Sequence, residues 1–158
     1  MRKAIACMLF PALVGAFFTL GDAGQSINNC PLPDDLNIVE PDKKDVPPKL
    51  ALLSGIWEGN WGPMSVLFIM EKIRPQEAIV VYACSGRQMP KGPSILPSHF
   101  RKACALELGE DGNYRIIMSL SQGTNRLIQT DDPRYIRVVR DGYSGLTQGT
   151  QHSIFRKR

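Results

Sequence analysis

The sequence predicts an all-β protein, a single antiparallel up-and-down β-barrel of eight or nine short strands behind a signal peptide and a Pro-rich tether. Three observations predict it. From Leu50 onward, short runs of β-branched, aromatic and aliphatic residues alternate with turn signals. Those signals are Gly62-Pro63, Arg74-Pro75-Gln76, Gly109-Glu110-Asp111-Gly112, Asp131-Asp132-Pro133 and Asp141-Gly142, links short enough to join antiparallel neighbours. In "LLSGIWEGNW" the residues Gly55, Trp57, Gly59 and Trp61 share one parity of a first strand. Glycines beside large rings suit a barrel strand that bends sharply, because a missing Cβ lets a ring or another backbone lie close.

The chain divides into three parts. Residues 1–23 begin with Arg2 and Lys3, continue as an uncharged apolar run from Ala4 to Leu20 and end on Gly21 and Ala23. That order is a secretory signal peptide cut after Ala23, and an uncleaved anchor is the competing reading of a run this short. Cys7 precedes most of the apolar stretch, which argues against a lipoprotein. Residues 24–49, with "CPLPDDLNIVEPDKKDVPPK", hold several prolines and no apolar period, and read as a flexible tether. Residues 50–158 read as the barrel domain.

Within that domain strands are expected near 55–61, 64–73, 77–85, 101–108, 113–119, 124–129, 134–140, 143–148 and 150–157. A meander of hairpins hides its edges best by closing on itself, and a two-sheet sandwich is the alternative with the same spacing. The strands at 64–73 and 77–85 are apolar on both parities, so something must cover their outer face: the Pro-rich segment, the loop 86–100 or another chain. That loop, with Met89, Ile95, Leu96 and Phe100, is long enough to be a lid.

Charge excludes little but steers the reading. Removing Arg2, Lys3 and Asp22 from 19 basic and 15 acidic residues leaves a net charge of +3, with no run of basic residues, so no nucleic-acid partner is expected. After cleavage no membrane span remains, and the expected location is periplasmic or secreted. Export permits disulfides. Of Cys30, Cys84 and Cys104, the favoured pair is Cys84 with Cys104, placed at the end of one strand and the start of the next, with Cys30 left free.

Catalytic constellations are not found. The two histidines, His99 and His152, form no zinc spacing. Ser144 in "DGYSGL" lacks a nucleophile elbow, and its order with Asp141 and His152 is coincidental. No cofactor or metal is expected. What remains is binding: Trp57, Trp61, Phe68, Met70, Tyr82, Tyr114 and Met118 are candidate lining residues for a small apolar ligand, and a plain packed core is the simpler reading of the same residues.

"GIW" early in the barrel, "VLFIMEKIRPQEAIVVYACSG" after it and "GTQHSIFRKR" at the end together resemble the calycins, the lipocalin-like group of barrels with an early Gly-x-Trp, and in particular small secreted bacterial modules of uncharacterised function. The resemblance implies that Trp57 packs against a basic residue of the last strand, for which Arg156 is the match. "GIWEG" with His152 also resembles the haem-binding nitrobindins, although one histidine on a terminal strand is more commonly a wall residue. Two functions are therefore expected. The first is an exported non-enzymatic barrel holding a small apolar ligand or envelope component. The second is an interaction module, an inhibitor of or accessory to a secreted hydrolase, that uses the apolar outer wall.

Overall fold

Hairpin follows hairpin from Gly55 to the C-terminus. The computed structural model describes residues 24–88, 94–144 and 147–158, so the expectations for the signal peptide and for Met89 lie outside the described residues. A short hairpin of β1 (Ser26–Ile27) and β2 (Cys30–Pro31) and one helical turn, α1 (Pro48–Ala51), precede the barrel. Its strands are β3 (Gly55–Trp61), β4 (Met64–Ile73), β5 (Glu77–Cys84), β6 (Ser98–Leu108), β7 (Tyr114–Leu120), β8 (Gly123–Gln129), β9 (Tyr135–Ser144) and β10 (Thr147–Lys157). Each pairs antiparallel with the next and β10 returns to β3, closing an eight-stranded up-and-down barrel.

Two expected strands, 134–140 and 143–148, are not separate: β9 runs from Tyr135 to Ser144. Asp141-Gly142 is therefore no turn. Gly142 lies opposite Gly123 of β8, both at φ +142°, and a Cβ on Gly123 would sit 2.1 Å from the Asp141 carbonyl oxygen. The glycines are there for a close backbone approach between two strands.

Alternation sorts the side chains into two clusters. The inner one holds Trp57, Phe68, Met70, Val80, Ile116, Met118, Leu127, Ile136, Val138 and Phe155. Gly59 explains its own presence here, because a Cβ on it would meet the Phe155 ring at 2.6 Å. One end of the barrel is stoppered by Val46, Leu50 and Leu53, carried by α1 and its flanks. Buried Gln129 latches this plug by donating to the Lys49 carbonyl at 2.7 Å, and Lys49 Nζ donates to the Gly112 carbonyl in the β6–β7 turn.

The Pro-rich segment does not stand off as a flexible tether. Asn28 and Asn29 adopt positive φ in the β1–β2 turn, and Cys30, Leu32, Leu36 and Ile27 then pack on Leu67, Ile69, Val81 and Ala83 of the outer wall. Glu71, an extra residue at a β-bulge in β4, holds the segment further along: its side chain accepts from Asn37 N, its carbonyl accepts from Val39 N, and Arg101 bridges it to Asp35. The apolar outer parity of β4 and β5 needed a cover, and the chain supplies its own.

Phe155 touches Gly59, Trp61 and Phe68 from the last strand. Phe155→Ala is expected to lower the unfolding free energy by about 3–5 kcal/mol, read as a lower urea midpoint; a loss under about 1 kcal/mol would show that the ring does not hold the seam.

Candidate functional site

The residues expected to line a ligand space are brought together, but as packed core. Phe68, Met70 and Met118 are fully buried and Trp57 is 1% exposed, while Tyr82 and Tyr114 are half-buried at the margin. Aromatic rings fill the interior in a chain: Trp61 to Phe155 at 6.0 Å, Phe155 to Phe68 at 5.2 Å, Phe68 to Tyr82 at 5.3 Å and Tyr82 to Phe100 at 5.2 Å. These are edge-to-face and stacked separations of contacting rings.

The cation on Trp57 is Lys157 rather than Arg156. Lys157 pairs with Trp57 across the β10–β3 seam, places Nζ 5.4 Å from the ring centroid and donates to the Leu52 carbonyl at 2.8 Å. The indole N–H donates to the Leu53 carbonyl at 2.8 Å, and burial pulls the Lys157 pKa down. Arg156, one residue earlier, points outward to Glu58. A single step along a strand changes the face.

The barrel wall parts elsewhere. β6 pairs with β7 only from Ala105 to Leu108, so the half of β6 before Cys104 and the end of β7 after Ile117 part company. Between them is a cleft of about 320 Å³ lined by Phe100, Lys102, Leu120, Gln122, Asn125 and Arg140. Three of these are polar residues on the inward parity of their strands, with Lys102 exposed to solvent, Arg140 half-buried and Asn125 buried. Lys102 lies two residues before buried Cys104, Arg140 two after buried Val138, and Asn125 pairs with Arg140 across β8 and β9. Burial pushes the Tyr82 hydroxyl far above its ordinary pKa, while the Arg140 charge nearby pulls the other way. The Phe100 ring, stacked on Tyr82, forms the apolar side. The parity of Lys102 with Cys104 and Leu106, and of Arg140 with Ile136 and Val138, was the sequence signal for this site.

Cys84 and Cys104 do not form the expected disulfide. β6 starts at Ser98, so Cys84 faces Ser98 and Cys104 faces Ala78 at opposite ends of the ladder. Six residues at about 3.4 Å each put them roughly 20 Å apart, where a bridge needs Cα atoms within about 7 Å. Cys30, Cys84 and Cys104 are all free and buried. Burial, the main cause for both, raises Cys30 and Cys104 from the ordinary 9.0 to about 11. His152 is exposed on the outer face of β10, opposite Val139, away from the interior a haem would need. Asp141 is occupied by Arg126 and Thr150. Among the described residues no group of three or more His, Cys, Asp or Glu could hold a metal ion, and no helix is long and apolar enough to cross a membrane. No protein-family model matches the chain, and neither does any curated protein or solved structure.

Two outcomes follow from these contacts. Lys157→Ala is expected to cost about 1–2 kcal/mol through the lost ring contact and carbonyl bond, and Arg156→Ala about 0.5 kcal/mol or less, since exposed ion pairs contribute little. Equal losses in urea titrations would reverse the assignment. The folded thiols hold their protons more tightly than the unfolded ones, so their contribution is complete below pH 9.0 and is lost as pH climbs to about 11. The urea midpoint should fall across that window, less steeply in a Cys30→Ala/Cys104→Ala variant; parallel slopes would refute the thiol contribution.

Proposed function

We propose that this chain is an exported, non-enzymatic barrel of the calycin type that binds one small ligand with an apolar group. The support is the parted wall between β6 and β7, where Phe100 and Leu120 flank a cleft of about 320 Å³. That volume lies at the small end of ligand sites and suits a compact molecule rather than a long acyl chain. The aromatic chain behind Phe100 fixes one side of the cleft, so little ordering is required on binding. The signal-like head of the sequence supports export.

The interaction-module reading rested on an uncovered apolar outer wall. Leu67, Ile69, Val81 and Ala83 are already covered by Cys30 and Leu32, which favours the ligand reading.

Titration with neutral and anionic single-ring aromatics, followed by amide chemical shifts, tests the proposal. The expected result is one saturable site, with shifts concentrated at 100–102, 120–125 and 140 and affinity weakened about tenfold in Phe100→Ala, the scale of one lost aromatic contact. Absence of saturation by every compound in the panel would refute it.

A further inference from the structure

Taking the cleft as the ligand site, we infer that its ligand is a compact hydroxy acid, whose carboxylate lies between Lys102 and Arg140 and whose hydroxyl donates to Asn125. The inference deepens the preceding reading and rests on it.

The first observation is an orphan. Asn125 is 2% exposed, and its Oδ1 is buried with no hydrogen-bond partner among the described residues. A buried acceptor without a donor costs stability, because it gives up water and receives nothing in return. The second is a charge imbalance. Lys102 and Arg140 line the same cleft and, like Arg87, Arg137 and the other described lysines, form no ion pair among the described residues; Arg101, also on the lining, is neutralised by Glu71 and Asp35, so the cleft keeps two cations with no carboxylate on them. Two cations facing one cavity favour an anion, and a guanidinium beside an ammonium suits a carboxylate.

The two observations combine by position. Asn125 and Arg140 are directly paired across neighbouring strands on one face, so a donor for Asn125 and an anion for Arg140 can be carried by neighbouring groups of one small ligand. An amino acid would offer such a donor but brings a positive charge toward two cations. A hydroxyl brings none. The remaining part of the ligand meets Phe100 and Leu120 and is therefore apolar, and the cleft volume limits it to about one ring.

Mandelate has these features, and its relatives remove them one at a time: phenylacetate lacks the hydroxyl and methyl mandelate lacks the charge. Calorimetric titration of the folded chain is expected to give mandelate an affinity about tenfold above either relative, the scale of one charged or one buried hydrogen bond. Arg140→Gln should erase the preference for mandelate over its methyl ester. Asn125→Leu should erase the preference over phenylacetate and raise the melting temperature of the free protein by a few degrees, since the orphan acceptor is gone. Equal affinities for the three compounds, failure of mandelate to bind while the ester binds, or preferences that survive both substitutions would each overturn the inference and leave the cleft as a general apolar site. Failure of all three compounds, the neutral ester included, would instead count against the cleft as a ligand site.

Discussion

The barrel closes on a ring lying against a glycine. β10 meets β3 in ladder register only at Arg156–Glu58 and Lys157–Trp57, so backbone hydrogen bonds alone do not seal this seam. Side chains do the rest. Phe155 occupies the space that a Cβ on Gly59 would take, and Ser153 Oγ donates to the Asn60 carbonyl at 3.0 Å further along. Phe155 is also the middle of the aromatic chain that crosses the interior to Phe100. The contact that shuts the barrel on one side therefore positions the ring that flanks the cleft on the other. Interiors packed to crystal-like density transmit such constraints, because a displaced ring has no void to enter.

Why the wall parts where it does follows from which residues face inward. Toward the plugged end the inner parity is apolar, and the β6–β7 ladder is intact opposite Leu106 and Ile116. Toward the other end the same parity brings Lys102, Asn125 and Arg140. Two unpaired cations cannot be enclosed in a dry core without a desolvation cost of several kcal/mol each. An open cleft lets water reach them and removes most of that cost. The expected lining residues Phe68, Met70 and Met118 lie deeper, fully buried, where the core is already filled.

Much of this was legible in the sequence because a barrel of hairpins writes its pattern locally. Turn residues marked most strand ends, and the shared parity of Gly55, Trp57, Gly59 and Trp61 located the inner face of β3. The misreadings came from features that local pattern does not encode. Asp141-Gly142 has turn chemistry, yet its glycine serves a partner strand that only the fold brings near. The Cys84–Cys104 pairing failed because β6 begins three residues before the apolar alternation becomes visible, at Ser98, and the register moved with it. Arg156 and Lys157 are both cations, so chemistry could not choose between them, and the ladder did. Asn28-Asn29 carried a hairpin signal that the surrounding prolines masked.

The strand that borders the cleft is held from outside. β6 before Cys104 has β5 on one side and no ladder partner on the other. Arg101, in that half, points outward and forms charge-assisted bonds to buried Glu71 and to Asp35 of the N-terminal segment, which pull the Asp35 carboxyl below its ordinary range. Lys102, the next residue, faces the cleft. The two side chains share one stretch of backbone, so the lip of the cleft is anchored through the same ion pairs that dock the Pro-rich segment. That segment therefore belongs to the folded unit twice over. It covers Leu67, Ile69, Val81 and Ala83 from water, and through Asp35 it braces the stretch of β6 that has no ladder partner on its β7 side.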